Sequence, residues 1–235
     1  MALLRPKKVI KAPVAVIRGR IAICLDDWGY NPNNLSLLDQ IIYPLTASIL
    51  PNLNYSRAVA EALHRRGFEI ILHLPLEPHE EFRMEKNTIL ISMDEARIKD
   101  ILSQDLAAIP YVRGVSNHMG SLATEDTRTM EIIFKELKKR GLYFLDSFVA
   151  RKSVCSFLAR QMHLNFARRD VFLDNIQDRE YIKTQIYKLK NRAGLYGQAI
   201  GIGHDRRITL EVLAEVMPQL AKEGYKFVFV SELTK

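Results

Sequence analysis

The chain is organised around residues 20–30, which read Arg20-Ile21-Ala22-Ile23-Cys24-Leu25-Asp26-Asp27-Trp28-Gly29-Tyr30. A continuous apolar run that ends abruptly in two carboxylates predicts a buried strand whose C-terminal end delivers charge into a site. Because the backbone turns at a strand end, Asp26 and Asp27 can converge on one metal ion or water. A simpler interpretation is that one of them caps the helix that follows.

Length and composition favour one large α/β domain. The chain has 235 residues, of which 48% are hydrophobic, enough to bury a sizeable core. Its net charge of +7 comes from the N-terminus, because residues 1–20 hold six lysines and arginines and no acid. We therefore expect a basic N-terminal arm over residues 1–19, solvated or associated with the cell envelope, and a nearly neutral domain over residues 20–235. A balanced domain argues against nucleic-acid binding.

No stretch of the sequence predicts membrane insertion. Apolar runs stay well short of the ~18 residues of a membrane span, and residues 1–20 lack the apolar core of a signal peptide. We therefore expect no export signal in the sequence as it stands. The two cysteines, Cys24 and Cys155, make no disulfide framework, and we expect both to be small buried apolar residues.

Strand and helix patterns alternate along the rest of the chain. The spacing of apolar residues predicts a helix over residues 34–42, and the prolines and charges of residues 74–91 predict a long loop over one end of the domain. Alternation of this kind implies parallel strands joined by right-handed crossovers. The irregular unit lengths predict a distorted, single-domain β/α barrel of about seven to eight parallel strands.

Polar residues follow several of the predicted strands, at the point where each strand ends. Besides Asp26-Asp27, these are His73, His118, Asp146 and His204. Each one alone is weak evidence, since a histidine at a strand end is often a hydrogen-bonded rim residue and an aspartate often a helix cap. Together they are informative, because the ends of parallel strands share the face where active sites lie. One carboxylate with two imidazoles suits a zinc-like ion that keeps positions open for water and substrate.

These motifs carry a resemblance to a known group of enzymes. Leu25-Asp26-Asp27 resembles the Asp-Asp motif on the first strand of the carbohydrate esterase family 4, or NodB-homology, polysaccharide deacetylases. Two further segments, Gly67 to His73 and Gly203-His204-Asp205, resemble their metal-binding and C-terminal histidine motifs. The divergent polysaccharide deacetylase family is the more specific match, from about residue 20 to the end. Its motifs here are His73-Leu74-Pro75-Leu76-Glu77-Pro78, Asn117-His118-Met119-Gly120-Ser121 and Arg169-Asp170-Val171-Phe172-Leu173-Asp174-Asn175.

The resemblance implies a role for each strand-end residue. Asp27 and His73 would bind the divalent metal, most simply zinc, and Asp26 would be the general base for the attacking water. His204 would be the general acid that protonates the leaving amine. Asp146 would orient the imidazole of His204 through a hydrogen bond.

The sequence also departs from the main family's pattern. The second metal-binding histidine of that family lies four residues after the first, where this chain has Glu77; His118 on a neighbouring strand is favoured over Glu77 as the third ligand. The family's arginine that pairs with the base is absent, and Arg168 or Arg169 could substitute for it. Because they stand in the matching motifs, Asn117, Arg169 and Asp170 are further candidate site residues.

Two functional hypotheses follow from the resemblance. The first is a metal-dependent hydrolase that removes N-acetyl groups from an amino-sugar polymer or a related carbohydrate. The second is a catalytically impaired, envelope-associated carbohydrate-binding protein that keeps the barrel and the metal site; the missing arginine motivates it. The resemblance also suggests an extracytoplasmic setting in bacteria, in the periplasm or cell envelope.

Overall fold

The computed structural model of the protein describes residues 17–80 and 83–235. The described chain forms a parallel sheet whose strands are joined by helices packed on its outer side. The strands are β1 (Gly19–Trp28), β2 (Thr46–Ile49), β3 (Glu69–Leu76), β4 (Val112–Met119), β5 (Tyr143–Asp146), β6 (Phe166–Arg168), β7 (Val171–Phe172), β8 (Gln198–His204) and β9 (Tyr225–Val228). The α-helices are α1 (Ser56–Arg65), α2 (Glu95–Ala108), α3 (Thr127–Lys139), α4 (Cys155–Met162), α5 (Arg179–Tyr196) and α6 (Arg207–Lys222).

The strands lie in the order β6-β5-β4-β3-β2-β1-β8-β7, and β9 pairs with β1 beside this path. Every paired ladder is parallel. Within the described residues the two end strands, β6 and β7, form no ladder with each other, so the barrel stays open along that seam. The predicted distorted β/α barrel is therefore confirmed, with β1 at its centre and paired to β8, β2 and β9.

Residues that point into the barrel form a small interior core of their own. On β1 these are Ala22 and Cys24. The interior core continues through residues of the other strands and of the 3-10 helix Val230–Leu233, namely Ile71, Tyr143, Leu145, Ala167, Ile200, Ile202, Val228, Val230 and Leu233. The alternate residues of the strands pack against the helices in a larger core. Because side chains alternate along a strand, the next inward positions above Cys24, Ile71 and Ile202 are Asp26, His73 and His204. The barrel interior thus changes from apolar to polar at its C-terminal end.

The outer core depends on large side chains from helices and strands. Phe134 of α3 packs against Phe144 of β5 with ring centroids 5.0 Å apart, and both are fully buried. Removing a buried phenylalanine of this kind costs about 3–5 kcal/mol of folding free energy. Both cysteines are buried and free, as the sequence predicts.

Two local predictions differ from the structure. The helix predicted over residues 34–42 is a 3-10 helix, Leu35–Gln40, preceded by Asn34. Neither Asp26 nor Asp27 caps it, which removes the capping interpretation. The loop predicted from residue 74 begins later, because β3 continues to Leu76 and then forms an isolated bridge to Ile89.

The N-terminal arm is predicted over residues 1–19, and residues 1–16 of it lie outside the described part of the chain. β1 begins at Gly19. Across residues 17–80 and 83–235, no helix combines the length and the apolar character needed to cross a membrane.

Candidate metal centre

Three side chains from three strands meet above the interior core. Oδ1 of Asp27 lies 3.3 Å from Nε2 of His73 and 3.1 Å from Nδ1 of His118. One ligand atom from each residue lies within 4.8 Å of the other two. Zinc binds such atoms at about 2.0–2.2 Å, so two ligands of one ion stand about 2.8–3.6 Å apart at bond angles of about 90–110°. The spacing around Asp27 therefore fits one divalent ion.

Asp27 reaches this cluster only through an unusual backbone conformation. It follows the inward-facing Asp26, so regular alternation would turn it away from the barrel interior. Its φ is instead 65°, in the left-handed region, and the pairing of β1 with β2 shifts register between Leu25 and Trp28. A residue other than glycine held in this region costs on the order of 1–3 kcal/mol, and such residues cluster at functional sites. The turn brings both carboxylates to the same face.

The two imidazoles control the charge of Asp27. Burial alone raises the pKa of its carboxyl, but the hydrogen bonds and positive charge offered by His118 and His73 lower the pKa well below its usual range. Asp27 is therefore a carboxylate at any physiological pH. A permanently ionised oxygen beside two imidazole nitrogens is a donor set that binds divalent metal ions well.

Asp26 occupies a different environment, only 3% exposed in the barrel interior. Its Oδ1 accepts a weak hydrogen bond from the Cys24 thiol at 3.4 Å, and its Oδ2 lies 3.7 Å from Nε2 of His73. Burial raises the pKa of Asp26, His73 opposes that effect and Asp27 adds to it, so the pKa is raised overall. A raised pKa makes the ionised carboxylate a stronger proton acceptor than an exposed aspartate.

His204 stands opposite, since it is the register partner of Asp26 across the ladder between β1 and β8. Its Nδ1 is 2.8 Å from Oδ1 of Asp174, and its Nε2 is 3.8 Å from Oδ2 of Asp27. Burial lowers the pKa of the imidazole, but the hydrogen bond and charge of Asp174, with Asp27 and Asp26, raise it overall. Asp174 is fully buried and accepts two further hydrogen bonds, from the backbone N–H of His204 and from Thr209. The imidazole is therefore held with one nitrogen toward the cluster.

A family assignment follows from the sequence match. The model of the divergent polysaccharide deacetylase family matches residues 23–234. The chain belongs to this family. It is 31% identical over 205 residues to the uncharacterized protein YibQ of Escherichia coli (strain K12), and the match covers 87% of this chain. The chain spans 64% of the length of that relative.

Solved structures agree with the family's fold. An uncharacterized protein, ATU2773, from Agrobacterium tumefaciens C58 is 23% identical, with a TM-score of 0.88 and coverage of 95% of this chain and 92% of its own. The catalytic domain of a peptidoglycan N-acetylglucosamine deacetylase from Eubacterium rectale is 16% identical, with a TM-score of 0.55 and coverage of 90% and 88%. A CE4 family pseudoenzyme from Bacillus anthracis, BA3943, is 15% identical, with a TM-score of 0.55 and coverage of 91% and 64%.

Asp146 does not contact His204, contrary to the prediction from the sequence. Tyr143 and Leu145 point into the barrel, so Asp146 is one residue out of phase with them. Its carboxylate accepts from the backbone N–H of Phe148 and from the hydroxyl of Ser153, ahead of α4, at 2.7 Å each. The prediction that Asp146 orients His204 is wrong, and Asp174 provides that hydrogen bond.

The additional candidate residues make contacts outside the cluster. Oε2 of Glu77 accepts from the backbone N–H of Ile91 at 2.7 Å and so anchors the loop after β3. Asn117 bonds to Ser147 and so links the ends of β4 and β5. Asp170 pairs with Arg192 and accepts from the backbone N–H of Ile200. Glu77, Asn117 and Asp170 thus serve local structure here.

Neither arginine predicted to replace the missing partner of Asp26 forms an ion pair with it. Arg169 donates to the backbone carbonyls of Ser147 and Phe148 at 2.6 and 2.9 Å, and its guanidinium lies over the Phe172 ring. Burial lowers the pKa of Arg169, and the charges of Asp146, Asp26 and Asp170 oppose that effect. Arg169 therefore interacts with Asp26 through longer-range electrostatics and not through an ion pair. Arg168 lies over the ring of Phe148.

Sequence reasoning missed two elements of the site. Asp174 stands in the quoted motif of residues 169–175, two residues after the end of the short β7, and a polar residue so close to a strand end was a usable signal. The other element is a buried hydroxyl pair behind His73, formed by Ser116 and Ser48. Serine inside an apolar strand gives no signal of this kind, because only the register of β2, β3 and β4 brings these residues together.

Proposed function

We propose that this protein is a metal-dependent hydrolase that removes N-acetyl groups from an amino-sugar polymer or a related carbohydrate. One observation carries the proposal: the cluster of Asp27, His73 and His118 is flanked by a buried carboxylate, Asp26, and by a carboxylate-paired imidazole, His204. Amide hydrolysis requires a group that accepts a proton from water and a group that gives one to the leaving nitrogen. Both kinds of group stand beside the candidate metal ligands.

Asp27, His73 and His118 would hold the metal. Two imidazoles and one carboxylate are typical of zinc sites that keep positions open for water and substrate. A bound ion of this kind supplies Lewis-acid polarisation of the acetamide carbonyl and a lowered pKa for water. We assign the third ligand to His118 over Glu77, because His118 faces Asp27 and Glu77 is committed to the backbone of Ile91.

The chain's own residues would then divide the proton transfers. Asp26 accepts a proton from the attacking water, and its burial makes it the stronger base of the two neighbouring carboxylates. His204 donates a proton from Nε2 to the leaving amine, since its Nδ1 is fixed by Asp174. Asp174 keeps the imidazole oriented and favours its protonated form.

Substrate and setting are parts of the same proposal. The peptidoglycan N-acetylglucosamine deacetylase that shares the fold supports an N-acetylated amino sugar as substrate. Such polymers lie in the periplasm or cell envelope of bacteria, which is where we expect the protein to act. A basic N-terminal arm would suit peripheral association with an anionic envelope.

The test combines metal analysis with turnover. Protein prepared without chelators should contain about one divalent ion per chain, and acetate should be released from N-acetylated chitooligosaccharides or peptidoglycan fragments. Asp26→Asn should reduce turnover by about 10²–10⁴-fold while retaining the metal. The proposal fails if no stoichiometric ion is present and if His73→Ala with His118→Ala leaves acetate release unchanged.

A second candidate is a carbohydrate-binding protein that keeps the metal site without hydrolysis. The observation that favours it is the lack, within the described residues, of a lysine or arginine within 4.0 Å of Asp26. A fold relative, BA3943, is a CE4 family pseudoenzyme. Saturable binding of the same oligosaccharides to the metal-loaded protein, with no acetate release that depends on Asp26, would establish this candidate and exclude the first.

A further inference from the structure

Three polar side chains lie in a row inside the barrel behind Asp27. Nδ1 of His73 is 2.8 Å from Oγ of Ser116, and that oxygen is 2.6 Å from Oγ of Ser48. His73 is 3% exposed and both serines are 0% exposed. The hydrolytic reaction described above uses neither hydroxyl.

The register of three strands produces this row. His73 on β3 is the register partner of Ser116 on β4, so both side chains point into the barrel at the same height. Ser48 on β2 is the register partner of Ile71, the inward residue directly below His73. The two serines therefore reach across the inner surface of β3 from either side and meet beneath the imidazole.

A metal ion requires one particular tautomer of His73. Its Nε2 faces Asp27 Oδ1 at 3.3 Å, and this nitrogen can ligate only when it carries no proton. Nδ1 must then carry the proton and donate it to Ser116. Without a metal, the favourable arrangement is the opposite one, since an Nε2 proton faces the Asp27 carboxylate and Nδ1 accepts from Ser116.

A hydroxyl group can serve both arrangements, whereas a carbonyl or carboxylate oxygen serves only the first. For Ser116 to accept from Nδ1, its own proton needs another acceptor, and Oγ of Ser48 stands at hydrogen-bond distance for that purpose. For Ser116 to donate to Nδ1, the proton of Ser48 can turn toward Ser116 instead. Both arrangements leave the buried polar atoms of the row partnered.

We propose that Ser116, supported by Ser48, is a positioning pair that keeps Nδ1 of His73 hydrogen-bonded in both tautomers, so that the metal-binding tautomer forms without losing a hydrogen bond and the affinity of the site for its divalent metal is raised. The inference rests on the metal site of the proposed function and is independent of whether the protein hydrolyses anything. The simpler alternative is that the two hydroxyls only satisfy each other in the barrel interior. In that case their removal changes stability and leaves metal affinity unchanged.

The experiment measures zinc affinity of the full chain by calorimetry, with Zn²⁺ as the only ligand. Partners of metal-bound histidines typically contribute 10- to 100-fold to affinity, so Ser116→Ala should weaken binding by about that factor. Ser48→Ala should have a smaller effect in the same direction, because it leaves Ser116 in contact with Nδ1. Thr46→Val is the matched control: Thr46 is fully buried on the same strand, two residues before Ser48, and its hydroxyl bonds to Glu69 instead.

A second measurement does not depend on metal affinity. Long-range proton–nitrogen NMR of the His73 ring should show the proton on Nε2 in the metal-free protein and on Nδ1 after zinc is added. Ser116→Ala should lose the protected Nδ1 proton of the zinc-loaded state. Zinc affinity of Ser116→Ala within twofold of wild type would overturn the inference, as would an unchanged Nδ1 signal in that variant. If wild type binds no divalent ion, the metal site of the proposed function fails instead, and a metal-free ring with its proton on Nδ1 would overturn this inference separately.

Discussion

Asp174→Asn tests whether His204 acts as a general acid held by a carboxylate. In the wild type, Oδ2 of Asp174 accepts from the backbone N–H of His204 at 2.9 Å and from Thr209 at 2.7 Å, while Oδ1 faces Nδ1 of His204 at 2.8 Å. The two donors at Oδ2 will hold the asparagine oxygen there. The amide nitrogen must then face the imidazole and donate to Nδ1. The variant therefore keeps its fold contacts but loses the charged partner of the protonated ring.

The size of the expected rate loss follows from the hydrogen bond between Asp174 and the protonated ring of His204. A hydrogen bond to a charged group contributes about 1.5–3 kcal/mol, which corresponds to about 10- to 150-fold in rate when the protonated ring is the reacting group. We expect kcat for acetate release to fall by this factor with little change in KM. Burial lowers the pKa of His204 and Asp174 raises it, so the variant should also have a lower imidazole pKa, measurable by NMR titration.

Asp146→Asn is the matched control, since it removes a carboxylate charge equally deep in the fold. The contacts of Asp146 go to Ser153 and to the backbone of Phe148, both of which an asparagine can retain. Its kcat and the titration of His204 should stay within about twofold of wild type, a difference of only about 0.4 kcal/mol. The reasoning would be refuted if Asp146→Asn matched the loss expected for Asp174→Asn, or if Asp174→Asn kept wild-type kcat.

Three further predictions concern metal binding and stability. Zinc at about 100 times its dissociation constant should stabilise the protein by about 2.7 kcal/mol against urea, and chelator should reverse this. Glu77→Gln should leave zinc affinity within about twofold of wild type, because Glu77 bonds to Ile91, whereas His118→Ala should weaken it at least tenfold. Burial raises the pKa of Asp105 to about 6. The stability that Asp105 contributes is therefore present at low pH and lost as the pH rises through about 6. In urea unfolding, the wild type should be more stable at pH 5 than at pH 7 by about 1 kcal/mol from this group. Asp105→Asn should lack this difference.

Much of the fold could be predicted from the sequence, because buried parallel strands are continuous apolar runs that stand out between helical patterns. The strand through residues 20–28 and the alternation after it are examples. The end of β3 was harder, since Pro75 looks like a strand terminator. The carbonyl oxygen of Pro75 accepts a hydrogen bond from the backbone N–H of Ile89 in the following loop. Because the N–H and C=O of one strand residue point to the same edge, the N–H that proline lacks would also have faced this loop. The ladder to β4, in which Pro75 is the register partner of His118, therefore loses no hydrogen bond.

The candidate site was predictable to the extent that its residues stand at strand ends. Asp27, His73 and His118 come together as the sequence suggests, whereas nothing in the sequence indicated that Glu77 bonds to the backbone of Ile91. The role of Asp146 was mistaken because sequence position gives the height of a residue in the barrel and not the side to which it points. Alternation within β5 decides that side, and a one-residue difference in phase exchanges the interior for the helix layer.

Phase also explains how one strand can deliver two carboxylates with different chemistry. Asp26 is in phase with Ala22 and Cys24, so it lies inside the barrel, where burial raises its pKa. Asp27 is out of phase and reaches the same face only because its backbone turns to a φ of 65°. That turn exposes it to both imidazoles, which lower its pKa. Adjacent residues with the same side chain thus have opposite pKa shifts, which suits the proton acceptor and the metal ligand that we propose, and the difference arises from one backbone dihedral.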